Sequence, residues 1–81
     1  MVEPERIQSW IATLQMAIRP FGLTLAYVPD LKEPLHRFHV SRAQSARQVT
    51  YVLGEASIAE TDAQDLIAAI TRDFPPIAYD I

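Results

Sequence analysis

The spacing of apolar residues changes twice along this chain, and that change is what most limits its fold. Ile7, Trp10, Ile11, Leu14, Ala17 and Ile18 recur three and four apart, the pattern of one helical face. From Leu23 to Val28 the period drops to two, with Leu23, Leu25 and Tyr27 on one side. It returns to three and four with Ala63, Leu66, Ile67, Ile70 and Phe74. Helix, strands and helix must therefore bury their apolar sides against each other in one core.

Local signals place the boundaries. Pro4 suits a first helical turn, Glu3 and Glu5 complement the positive end of the helix dipole, and Pro20 with Gly22 ends the element. Pro29-Asp30 opens a turn and Pro34 closes it. Leu35 to Arg42 reads as a second strand, with Phe38 and Val40 on one side and Arg37, His39 and Ser41 on the other. Ala43 to Ala46 reads as a hairpin loop, and Gln48 to Leu53, carrying Val49, Thr50, Tyr51 and Val52, as a third strand. A helix over Arg42 to Leu53 competes with that assignment. Ser41 with Gln44 resembles a capping box, no breaker interrupts the run, and Gly54 would cap its end. The last helix begins near Ser57 or Thr61, each followed three residues on by Glu60 or Gln64 in capping-box spacing. Asp62 and Asp65 would lie in its first turn and Arg72 in its last, and Pro75-Pro76 stops it. Ile77-Ala78-Tyr79-Asp80-Ile81 again alternates, as a short extended tail.

The expected fold is α+β: one domain over 1–81, a two-layer α-β-β-β-α sandwich with a three-stranded antiparallel sheet and both helices on one face. The buried face would carry Leu23, Leu25, Tyr27, Phe38, Val40, Val49, Tyr51 and Leu53. The outer face would show Thr24, Ala26, Val28, Arg37, His39, Gln48, Thr50 and Val52. A chain of 81 residues buries only roughly 60% of its unfolded surface, so this core is thin.

Composition narrows the chemistry. The chain has no cysteine, which removes disulfides, thiolate catalysis and thiolate metal sites. Its two glycines are isolated, so no glycine-rich phosphate loop exists. His36 and His39 are three apart, on opposite sides of a strand, where one metal would not meet both. Each reads as a partly exposed strand histidine. Asp62 to Asp65 lies on a helix without the glycine turn of a calcium loop. Ser57 and Thr61 are accounted for as caps. No metal, cofactor, small-molecule substrate or catalytic residue is expected. The N-terminus has no continuous apolar block and no run approaches a membrane span, so a cytoplasmic protein without membrane contact is expected.

Charge is the one pointer to a partner. Net charge is −3, yet Leu35 to Gly54 holds no acid and carries Arg37, Arg42, Arg47, His36 and His39. Glu55, Glu60, Asp62, Asp65, Asp73 and Asp80 follow, against Arg72. The arginines either line an electropositive hairpin that meets an acidic surface or phosphates, or pair with the acids of the last helix. Strand alternation sets Arg37 beside His39 on the open face and Arg42 with Arg47 at the loop. Ile77, Tyr79 and Ile81 would form an edge strand for its own sheet or another chain's. Arg37, His39, Arg42, Arg47 and Tyr79 are thus the candidate partner-binding residues. The expected role is a small, non-enzymatic interaction or regulatory module, acting as a homodimer or in a complex with another protein.

The element order resembles that of double-stranded-RNA-binding domains and of HicA-type toxins, which implies an RNA-directed alternative with His39 as general base. An RNA-binding domain of that kind grips phosphates with lysines at the start of its last helix, where this chain reads Ala56-Ser57-Ile58-Ala59-Glu60-Thr61-Asp62. A HicA-type toxin sets its catalytic histidine in Gly-Ser-His-His, where this chain reads His36-Arg37-Phe38-His39.

Overall fold

A computed structural model describes residues 2–30, 32–42 and 46–74. Helix α1 runs Pro4–Ile18 and buries Ile7, Trp10, Leu14 and Ile18. A single 3₁₀ turn, Arg19–Phe21, closes it, and Gly22 takes the left-handed conformation at φ 73° that turns the chain into β1, Leu23–Pro29. Strands β2, Leu35–Arg42, and β3, Gln48–Gly54, complete an antiparallel meander in the order β1-β2-β3. Two helices follow: α2, Glu55–Glu60, and α3, Ala63–Asp73.

The architecture is the α+β arrangement expected from the periodicity. The register sets Leu25, Val40 and Val49 in one cross-strand row of the inner face, and Tyr27, Phe38 and Tyr51 in the next. Phe38 and Val40 are fully buried. They pack with Leu14 and Ile18 of α1, Ile58 of α2, and Ile70 and Phe74 at the other end of the helical layer. Trp10 and Tyr27 approach the Phe38 ring at 6.3 and 5.2 Å between centroids.

Two local expectations are resolved. Gln48–Gly54 is a strand paired along its length with β2, not the end of a helix over Arg42 to Leu53. Val49, Tyr51 and Leu53 stand two apart and all meet the core, which a helix would prevent. The last helix is instead two helices. α2 begins directly after the strand, with Gly54 as an extended cap at φ −82° and ψ 173°. Ser57 therefore lies inside α2, and its carbonyl accepts the Thr61 N–H at 3.0 Å. Asp62 caps α3, its carboxylate accepting the Gln64 N–H at 3.2 Å. The break is held by Arg6, whose Nε donates to Ile58 O at 2.6 Å and Nη2 to Thr61 O at 2.8 Å. That contact joins residues more than fifty apart in sequence, so no local pattern announces it. The tail with Ile77, Tyr79 and Ile81, and most of the Ala43 to Ala46 loop, lie outside the described residues.

Candidate interaction surface

With all three helices against the inner face, the outer face presents three cross-strand rows. They read Thr24–Ser41–Gln48, Ala26–His39–Thr50 and Val28–Arg37–Val52. Alternation alone puts them there, because each is offset by one from a core residue. Val28 and Val52 are 46% and 49% exposed, on either side of Arg37. His39 is at the centre, its Nδ1 2.8 Å from Thr50 Oγ1 and 3.4 Å from the Gln48 amide nitrogen. Thr24 and Ser41 hydroxyls meet at 3.0 Å. Thr24, Ala26, His39, Ser41 and Gln48 line an open hollow of about 320 Å³ on this face, and the three rows hold no acid.

At the margin of the face Arg37 Nη1 donates to Asp30 Oδ2 at 2.8 Å. The Asp30 carboxylate is held below its usual range, first by Arg37 and then by the backbone N–H groups of Lys32 and Glu33. Arg37 and His39 do share the open face, as the alternation required.

Arg42 and Arg47 are elsewhere. Arg42 ends β2 on the inner side and Arg47 precedes β3. Arg47 Nη2 donates to Asp73 O at 2.9 Å and Arg42 Nη2 to Phe74 O at 3.5 Å. Their guanidinium carbons stand 5.3 and 5.8 Å from the centroid of the Phe74 ring. Cations here satisfy the end of α3 and complement its negative pole. Beside them Tyr51 Oη donates to Asp73 Oδ2 at 2.8 Å. Burial, then the Asp73 carboxylate, pushes the Tyr51 hydroxyl well above its ordinary range. The same bond holds Asp73 below its own. The contacts of the arginine pair with the end of α3 thus include two backbone carbonyls and an aromatic ring. No protein-family model, no curated protein and no solved structure matches this chain.

His36 corrects the expectation of a partly exposed histidine: it is 7% exposed, on the inner face beside Phe38. Its Nε2 lies 2.7 Å from Glu55 Oε2, which only accepts, so Nε2 carries the proton. In that tautomer Nδ1 accepts from the Tyr27 hydroxyl at 2.6 Å, and the two rings stack at 5.9 Å. Glu55 Oε1 in turn accepts the Val2 N–H at 2.9 Å. The parity with Phe38 and Val40 was the available signal, since it already assigns His36 to the core side. Hydroxyl, imidazole and carboxylate form a chain, but burial raises the Tyr27 hydroxyl, the reverse of what activates a nucleophile. The network joins β1, β2, α2 and the segment that leads into α1, and acts as a tie between them.

Among the described residues, no group of three or more His, Asp or Glu is placed to hold a metal, and no helix is long and apolar enough to cross a membrane.

Proposed function

We propose that this chain is a small non-enzymatic module that binds another protein through the outer face of its sheet. The observation that carries this is the outer face, which no element among the described residues covers, with Val28 and Val52 each nearly half exposed around Arg37. Side chains there are mostly small, β-branched or polar, and a second protein could cover them as one continuous sheet surface. The buried histidine and the paired tyrosines have structural bonds, which leaves the face as the best candidate for work outside the domain.

The RNA-directed alternative has less support. Its three arginines do not converge: Arg37 pairs with Asp30 on the face, while Arg42 and Arg47 grip the end of α3. Phosphate recognition by such a protein needs cations along one track.

The test is a double variant, Val28→Asp with Val52→Asp, compared with the parent by chemical crosslinking and affinity capture in the native host. The parent is expected to give a defined crosslinked complex that the variant loses, at unchanged far-UV circular dichroism. Equal complexes from both proteins, or none from the parent, would overturn the proposal. High-affinity, salt-dependent binding of duplex RNA would favour the alternative.

A further inference from the structure

The helical layer is wider than the sheet beneath it. Strands about 4.8 Å apart make a three-stranded sheet roughly 14 Å wide, while two packed helices with their side chains cover about 20 Å. α1 packs beside α3 and over β1. At the edge of β1 lies an open hollow of about 330 Å³, walled by Gln15, Ile18 and Arg19 at the end of α1 and by Leu23, Thr24 and Leu25 of β1. No residue of β2 or β3 lines it, so it opens at the free side of the sheet.

β2 pairs with one side of β1, and among the described residues no strand and no backbone hydrogen bond reaches the other. The pairing runs from Leu23↔Arg42 to Pro29↔His36 without a bulge, and Leu23–Pro29 holds no charged residue. Of the sequence devices that close an edge to addition, only Pro29 is present, at the last position. β3, at the opposite edge, runs directly into α2, which packs against it.

Alternate side chains of an added strand point to the two faces of a sheet. On the inner side they would enter the hollow under α1, against Ile18, Leu23 and Leu25. On the outer side they would border the hollow that Thr24 and Ala26 share with His39. Thr24 and Leu25 line both, so the strand edge lies between the two hollows. Arg19 stands at the rim of the inner one, exposed and in no ion pair among the described residues. A second folded copy does not fit here. Paired through β1, it would set its own α1 about 4.8 Å from the first, where packed helices need about 8–10 Å.

We infer that the edge of β1 receives a fourth strand: an extended segment of a partner protein, with apolar side chains toward α1, short polar ones outward and a carboxylate beside Arg19. Main-chain hydrogen bonds to β1 hold such a segment, and the hollows select its side chains. The site is the edge of the sheet, not its outer face, and stands whether or not that face is used.

A short synthetic peptide of alternating isoleucine and threonine, ending in glutamate, tests this by amide hydrogen exchange on the full chain, read residue by residue in NMR. At millimolar peptide the β1 amides that face away from β2 are expected to exchange about tenfold more slowly, while those of β3 keep their rates. An analogue with the same side chains but N-methyl groups along the edge that meets β1 should have no effect, because it cannot donate. Arg19→Glu should weaken the peptide about threefold, and lysine in place of the peptide's glutamate should restore it; circular dichroism confirms that the variant is folded. Slowing that the methylated analogue reproduces, slowing confined to β3, or no slowing would overturn the inference. So would β1 amides already protected without peptide, which would give the edge to a segment of this chain or to another copy. A native-host complex lost in Val28→Asp/Val52→Asp, with no effect of the peptide on β1, would keep the outer-face reading and reject this one. Slowed β1 amides with a complex that survives both substitutions would do the reverse.

Discussion

Two histidines three residues apart have opposite fates, and a single offset along β2 decides which is which. His36 shares the parity of Phe38 and Val40 and is buried between Tyr27 and Glu55; His39 shares that of Arg37 and faces outward. Burial makes the bonds of His36 consequential, because a buried polar group without a partner costs about 1–3 kcal/mol. His36→Ala removes the partner of both Tyr27 Oη and Glu55 Oε2, each still reachable by water. It is therefore expected to lower stability by about 1–2 kcal/mol in urea denaturation. His39→Ala should change it by less than about 0.5 kcal/mol. Equal midpoints for the two variants would contradict the tie assigned to His36.

At the scale of elements, the helices and strands were legible because burial imposes its period on the residues that meet the core. The break between α2 and α3 was not. Ser57 and Thr61 both stand in capping-box spacing, yet the cap of α3 is Asp62, one residue further on. Local hydrogen-bonding potential cannot choose among adjacent candidates; the choice follows from Ile58 entering the core and Arg6 closing α2. Asp62→Ala is accordingly expected to cost about 1 kcal/mol, within the usual range for a lost N-cap. Ser57→Ala, which removes a hydroxyl inside a helix, should be near neutral. Thermal denaturation of the two variants distinguishes the assignments, and a larger loss in Ser57→Ala would reverse them.

For the whole molecule, the paired carboxylates set its response to acid. Asp30 with Arg37, Glu55 with His36 and Asp73 with Tyr51 are all held below the ordinary carboxylate range. A depressed folded value means that the contribution is present above the unfolded pKa and lost as pH falls through the folded one. The melting temperature is therefore expected to be level from neutral pH to about 5 and to fall below about pH 4. Asp73→Asn should make that acid limb shallower. Tyr27 and Tyr51 act in the opposite direction: their raised values favour the protonated fold, so stability declines above about pH 10. A melting temperature unchanged at pH 3 would refute the carboxylate assignment.

The sequence by itself determined the helical and strand periods, the strand register parity and the composition of both sheet faces, His36 on the inner one excepted. Each follows from short-range geometry: a side chain's face depends only on its offset from a core residue. The acid-free segment from Leu35 to Gly54 was equally plain, but its meaning was not. Tertiary structure divided it, giving Arg37 to Asp30 and setting Arg42 and Arg47 against the end of α3. It also brought Arg72, from a later part of the chain, into one hollow with that pair. Charge acts through space rather than along the chain, so only the packing of α3 on the sheet decided which arginines share a site.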